Sequence, residues 1–305
     1  MIHGIIDIGS NTIRLSVFAV EGRQVSNLFN EKATVGLGSY REKGAITPEG
    51  IKKLICTLQN FLSITDNFGD IEEVHAFATA SIRNVNNTEE VLAEVKEATG
   101  LAIELLSGSE EARLAFMGAG QTLDEEELAS GILTDIGGGS TEIVFFHNRK
   151  IVDSFSLDLG SLTAYKDYAC GLFLTSEERK AVDGRLKELL SLGKMPRDYF
   201  DVLCAVGGSA RAILKYYNEY FDEHPDNRTM NPDDLKAIMK ELLDLDYKEK
   251  MNRILKIKAD RIHTFLPGMT ILYRIAKYYH VHTISVSQTG IREGYVYDRL
   301  VGGAE

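Results

Sequence analysis

Two acidic residues seven positions apart, Asp135 and Glu142, flank the run Ile-Gly-Gly-Gly-Ser-Thr. Apolar residues lead into Asp135 from Gly131 and continue beyond Glu142 to Phe146, so the stretch reads as a hairpin with a small polar turn. Glycines leave the backbone N–H groups of such a turn open to an anion, because no side chain blocks the approach. A carboxylate on each flank suits a hard divalent cation shared between protein and phosphate oxygens. The chemistry indicated is phosphate handling with a metal. A buried carboxylate pair neutralised by arginine, and glycines needed only for the turn, are the competing readings.

Residues 4–18 repeat this design. Laid over the later hairpin without gaps, Asp7 matches Asp135, Gly9 matches Gly137, and Arg14 falls opposite Glu142. Two such hairpins far apart in the chain predict a duplicated architecture. A third segment, Val202-Leu-Cys-Ala-Val206, runs as a strand directly into Gly207-Gly208-Ser209-Ala-Arg211 and then a helix. In open α/β sheets ligands gather where strands end, and a helix N-terminus there favours phosphate.

The elements that must position these turns alternate. Thr47 and Pro48 read as N-cap and first residue of a helix whose apolar stripe is Ile51, Leu54, Ile55, Leu58, Phe61 and Leu62. A strand at 74–79 leads to Ala80-Ser-Ile-Arg83, a helix near 88–99, a strand at 102–106 and a helix capped by Ser109 that carries Glu110, Glu111 and Arg113. Beyond the second hairpin come a strand at 151–157, a capping box from Thr175 to Glu178, near-continuous helix over 234–280 and a last strand at 283–287. The pattern predicts an α/β protein of two domains, 1–120 and 121–290, with a cleft between them and a final helix, 291–305, returning to the first.

Composition sets bounds. The chain has 305 residues, 44% hydrophobic and 26% charged, ordinary for a globular protein. A net charge of −11 argues against broad binding to nucleic acid or anionic membrane, yet a local arginine cluster still suits a polyanionic substrate. Cys56, Cys170 and Cys204 share no metal-like spacing and read as reduced, with Cys56 on the apolar-rich face of its helix and Cys204 in a buried strand. The N-terminus runs straight into Ile5-Ile6-Asp7-Ile8, which predicts no secretory or spanning segment and a cytoplasmic location. A two-fold homodimer is the prior expectation for assembly.

The motifs Asp7-Ile-Gly-Ser-Asn11, Thr79-Ala-Ser-Ile-Arg83, Leu106-Ser-Gly-Ser-Glu-Glu-Ala-Arg113, Asp135-Ile-Gly-Gly-Gly-Ser-Thr-Glu142 and Gly290-Ile-Arg-Glu-Gly294 stand in this order. In sequence and order they resemble the exopolyphosphatase/guanosine-pentaphosphate phosphohydrolase family, and the resemblance spans nearly the whole chain. The glycine hairpin is shared with the wider actin, Hsp70 and sugar-kinase superfamily, whereas the Glu110-Glu111-Ala-Arg113 segment is specific to the phosphatases. The resemblance implies two duplicated ribonuclease-H-like (actin-like ATPase) domains with the active site in the interlobe cleft.

It also implies roles. Glu111 matches the general base for the attacking water; a helix-terminal carboxylate favoured by the dipole is the alternative. Because Glu110 and Glu111 differ by about 100° around a helix, only one of them can face a site. Asp135 and Glu142 match the acidic pair that holds Mg²⁺ or another divalent cation and orients water. Gly137, Gly138, Gly139 and Ser140 match the phosphate loop, and Arg83 matches a residue that grips phosphate. Ser10, Asn11 and Arg14 could hold a neighbouring phosphate, although Arg14 could instead pair with Glu142. Gly207, Gly208 and Ser209 would take the phosphate tail or a nucleotide.

Two departures stand out. Lys258-Ala-Asp260 before Pro267-Gly268 replaces an Arg-Ala-Asp segment preceding a Pro-Gly turn, and Gln288-Thr289 replaces an acidic or aromatic pair. Lysine keeps the charge and loses bidentate geometry. The expected activity is Mg²⁺-dependent release of terminal phosphate from inorganic polyphosphate. Guanosine pentaphosphate is the alternative substrate, an ATP-dependent kinase or ATPase of the same superfold is a second class, and a nucleotide-binding regulator without turnover is a third.

Overall fold

The computed structural model describes residues 1–192 and 200–301. The chain divides into two compact units, Met1–Leu114 with Arg292–Glu305, and Ala115–Ile291.

The first unit is built on β1 (Ile2–Ile8), β2 (Thr12–Glu21) and β3 (Gln24–Thr34). A two-residue ladder of β4 (Arg41–Glu42) and β5 (Ala45–Ile46) precedes α1 (Pro48–Phe68), β6 (Ile71–Ala78), α2 (Ala80–Arg83), α3 (Thr88–Thr99), β7 (Ile103–Leu105) and α4 (Gly108–Ala119). The sheet order is β3-β2-β1-β6-β7, antiparallel through β1 and parallel from β1 to β7. Ile6, Ile8, Ile13 and Leu15 of the sheet pack with Leu54, Leu58 and Phe61 of α1 and with Val91 and Val95 of α3.

The second unit opens with β8 (Ser130–Ile136), β9 (Thr141–His147) and β10 (Lys150–Leu157). They are followed by α5 (Ser161–Tyr168), α6 (Ser176–Ser191), β11 (Val202–Val206), α7 (Gly207–Phe221), β12 (Thr229–Met230), α8 (Pro232–Asp244), α9 (Tyr247–Lys258), α10 (Phe265–Tyr278) and β13 (Thr283–Val286), while α11 (Ile291–Val296) belongs to the first unit from Arg292 on. The sheet order is β10-β9-β8-β11-β13-β12. Strip off β12, and its order and strand directions are those of the first sheet. This is one ribonuclease-H-like sheet used twice.

The repeat extends to individual hydrogen bonds. Asp7 faces Arg14 across β1 and β2, as Asp135 faces Glu142 across β8 and β9. Gly9 N donates to Thr12 O at 3.1 Å, and Gly137 N donates to Ser140 O at 3.0 Å, so both turns close with the same bond. Ser81 Oγ donates to the Ile8 carbonyl at 2.6 Å and Ser209 Oγ to the Ile136 carbonyl at 3.1 Å, tying α2 and α7 to matching strand ends.

Several local expectations need correction. The N-cap of α4 is Ser107, not Ser109: Ser107 Oγ accepts from Glu110 N, and Glu110 Oε2 accepts from Ser107 N at 2.9 Å. The three-residue spacing of a capping box selects that serine. Pro267 and Gly268 lie inside the first turn of α10, where a missing N–H costs nothing, and do not form a separate turn. Cys56 faces solvent, as does Cys170; Cys204 alone is buried, and burial pushes its thiol up. The helix expected at 291–305 is α11 followed by a π-helical turn at Tyr297–Val301, with residues 302–305 outside the described residues. No described helix is long and apolar enough to cross a membrane.

Candidate active site

In the second unit, the turn after β8 sits on the N-terminus of α5. Ser161 N donates to the Gly137 carbonyl at 2.9 Å, and Leu162 N and Thr163 N donate to the Gly138 carbonyl at 2.9 and 3.0 Å. Ser161 Oγ adds a bond to the Gly137 carbonyl at 3.0 Å. In a trans peptide the C=O and the next N–H point opposite ways, so Gly138 N–H and Gly139 N–H are turned away from α5. Neither has an acceptor among the described residues. Two adjacent donors aimed outward form an anion cradle.

Gly160 is what lets α5 approach so closely, since a Cβ there would collide with the Gly138 carbonyl and the Gly139 nitrogen. Backbone proximity accounts for this packing. Ser140 at the end of the turn is buried.

Asp135 and Glu142 stand beside this cradle as cross-strand partners, so their side chains project from the same face of the sheet. Glu142 is 2% exposed, and its Oε1 accepts from Ser156 Oγ on β10 at 2.8 Å. On the other side β11 ends at Val206 and is followed by Gly207, whose φ of 91° lies outside the range an L side chain favours. A Cβ at Gly207 would strike Asp135 Oδ1, so the carboxylate lies against the first residue of α7.

Ser209, buried in the first turn of α7, donates to the Ile136 carbonyl and accepts from Arg261 Nη1 at 3.0 Å. Arg261, 8% exposed, escaped the sequence reading because an arginine following Lys258-Ala-Asp260 carries no helical or strand signal of burial. Gly208 lies between Gly207 and Ser209 in the first turn of α7.

The donor set fits a Mg²⁺ ion. Among the described residues no group of three or more His, Cys, Asp or Glu is placed to hold a metal. A single carboxylate pair is what Mg²⁺ uses when phosphate oxygens and water complete its shell. Asp135 and Glu142 would be its protein ligands.

In the first unit, the turn after β1 carries Ser10 and Asn11, both buried. Gly38 N and Gly36 N donate to their carbonyls at 2.8 and 2.9 Å, which fixes the turn. Asn11 is 8% exposed, and its Nδ2 finds no acceptor among the described residues. An orphaned buried donor costs about 1–3 kcal/mol, a cost an anionic ligand would remove. Asp7 lies deeper: burial raises its pKa, while Arg292 and Arg14 act to lower it. Arg292, from the Gly290–Gly294 motif, also bonds Ser16 Oγ and reaches Asn30 Oδ1 at 3.1 Å.

Glu110 and Glu111 take separate tasks. Glu110 is the capping residue, and the Ser107 amide holds its carboxyl below the usual range. Glu111 is 6% exposed and forms an ion pair with Arg83 Nη1. Arg83 is therefore not a solvated loop residue. It closes α2, with its Nη1 also donating to the Leu106 carbonyl at 2.5 Å.

Each sheet thus presents, at the carboxyl ends of its parallel strands, a polar turn and a serine-anchored helix. That combination is the actin-like, duplicated ribonuclease-H class of α/β protein. The chain belongs to the Ppx/GppA phosphatase family, whose model matches residues 16–301. It is 36% identical over 161 residues to exopolyphosphatase 1 of Mycobacterium tuberculosis, a match covering 52% of this chain and 46% of that one, so it spans about half of that relative. A putative exopolyphosphatase of Haemophilus influenzae is 23% identical over 96% of this chain and 89% of its own. An exopolyphosphatase from Cytophaga hutchinsonii shares the fold at a TM-score of 0.86, with 23% identity over 99% of this chain and 98% of that one. The Aquifex aeolicus family member superposes at 0.81 with 25% identity, covering 100% and 99% of the two chains.

Proposed function

We propose that the protein is an exopolyphosphatase that hydrolyses the terminal phosphoanhydride bond of inorganic polyphosphate with Mg²⁺ and releases orthophosphate. The observation that carries this reading is the pair of outward Gly138 and Gly139 amides beside the Asp135–Glu142 pair. The relatives named exopolyphosphatase supply the substrate class.

In this reading the terminal phosphate sits on the Gly138 and Gly139 amides. Asn11 Nδ2 and Arg14 take neighbouring oxygens. Asp135 and Glu142 would hold Mg²⁺, which when bound neutralises phosphate charge. Glu111 takes the proton of the attacking water, and Arg83 transfers its guanidinium from Glu111 to phosphate as substrate arrives. That exchange leaves the Glu111 carboxylate available to the water.

The test is orthophosphate release from polyphosphate, guanosine pentaphosphate and ATP, with Mg²⁺ and with a chelator. Release from polyphosphate that stops on chelation is expected. Faster release from guanosine pentaphosphate, giving the tetraphosphate, would make the nucleotide the substrate. Release from ATP alone would overturn the proposal in favour of a kinase or ATPase.

A further inference from the structure

A cavity of about 600 Å³ opens along α7 in the second unit, outside the residues assigned above. Arg211, Lys215 and Asn218 line one wall, at positions i, i+4 and i+7 of the helix and therefore on one face. The segment ending in Asn227 and Arg228 forms the opposite wall, and Gln288 lies at one end.

The walls are braced. Arg211 Nη1 donates to the carbonyls of Ser287 and Gln288 at 3.3 and 3.2 Å, which orients the guanidinium beside the end of β13. Lys215 Nζ donates to the Ile257 carbonyl at 3.2 Å. Asn227 Nδ2 donates to Asn218 Oδ1 at 2.9 Å, and Val286 N donates to the Arg228 carbonyl at 2.8 Å, locking the opposite wall to the helix and to β13.

The charge is concentrated. Three cationic side chains line the cavity against one carboxylate, Asp226, in a chain whose net charge is −11. Its place matters equally. Gly207 lies against Asp135, and Arg211 follows four residues on, a rise of about 6 Å along the helix. A polyanion whose end lies at Asp135 has this groove next to it.

We propose that the groove is a second phosphate subsite, which holds substrate phosphates remote from the bond that is cut. The inference rests on the phosphohydrolase reading for its substrate, and names the residues that would set its length preference. Two sources share this chemistry: the body of a polyphosphate chain, and the 3′-diphosphate of guanosine pentaphosphate.

The experiment uses the full chain carrying K215E and R228E together, both residues being exposed, with thermal unfolding as a check that the fold persists. With long-chain polyphosphate, KM should rise about tenfold or more while kcat stays within about twofold, and the dependence of KM on salt should flatten. With tripolyphosphate, too short to fill both positions, KM should move by less than about twofold. A rise with long polyphosphate identifies the chain as occupant, and a rise with guanosine pentaphosphate alone identifies the diphosphate. An unchanged KM on both, or an equal rise on tripolyphosphate, overturns the subsite.

Equilibrium binding of long-chain polyphosphate without divalent cation separates this inference from the catalytic one. Binding weakened about tenfold in the variant supports the groove even if the parent protein hydrolyses nothing, and unchanged binding overturns it.

Discussion

Arg83 Nη1 bridges the Leu106 carbonyl and the Glu111 carboxylate, so the phosphate-gripping arginine and the catalytic base of the proposed reaction form one ion pair. A phosphate that draws Arg83 away removes this ion-pair partner from Glu111. Glu111→Gln should lower kcat on polyphosphate by about a thousandfold, within the range for a lost general base, and leave KM within a few-fold. Steady-state kinetics check this, and kcat within about tenfold of the parent would remove Glu111 from the role. Arg83→Lys should chiefly raise KM, because an ammonium cannot replace the planar fork.

Gly207 meets two constraints at once, a φ of 91° and the adjacent Asp135 Oδ1. Gly207→Ala should cost about 1–3 kcal/mol in stability and displace the carboxylate. Urea denaturation measures the first effect, and the Mg²⁺ concentration giving half-maximal activity should rise with the second. Gly171→Ala, at a position with no neighbouring atom within 4 Å and no positive φ, is the control and should be neutral.

His3 is buried in the first unit, its ring nitrogens have no hydrogen-bond partner among the described residues, it lies 5.6 Å from the His75 ring, and burial lowers its pKa. The unfolded chain therefore takes up this proton at a higher pH than the folded one. Stability is complete above the unfolded value of about 6.5 and falls as the pH drops below it. His3→Leu should lessen the difference in urea midpoint between pH 7.5 and pH 5.5. An unchanged difference would show that His3 does not set the acid sensitivity.

The chain's return to its first unit is clasped by Arg113 and Asp298, joined at 2.5 and 2.8 Å through two parallel hydrogen bonds. The Arg113 guanidinium holds the Asp298 carboxyl below its usual range. This contribution is present above the unfolded carboxylate pKa and disappears as the pH falls through the lowered folded value. Asp298→Asn should cost about 1–2 kcal/mol at neutral pH, discounting for the partly exposed arginine, and less at pH 3. Thermal unfolding at the two pH values tests it.

The hairpins and their duplication were legible because a strand–turn–strand pattern is local, and the Asp-Ile-Gly repeat fixes the register of both copies. The helix at Pro48 was legible for the same reason: Thr47 Oγ1 accepts from Gly50 N, and the predicted stripe turns inward. Polar residues acting at a distance were not. Ser209 and Arg261 meet across 52 positions, and the groove joins α7 to Arg228 and Gln288, contacts that leave no periodic trace. A faint signal existed in Thr79-Ala-Ser-Ile-Arg83 and Gly207-Gly-Ser-Ala-Arg211, which share Ser-x-Arg after a strand. Aligning them would have pointed to Arg211, whose bonds to the Ser287 and Gln288 carbonyls echo the bond from Arg83 to Leu106.

The two hairpins share one register and differ in charge at the position that faces the aspartate. Asp7 faces Arg14 where Asp135 faces Glu142, so formal charges cancel in one copy and sum to a double negative in the other. One backbone frame thus carries opposite charge at matching positions of the two sheets. A scaffold that separates shape from sign in this way can be retuned, one residue facing another across a turn, without refolding the sheet that carries them.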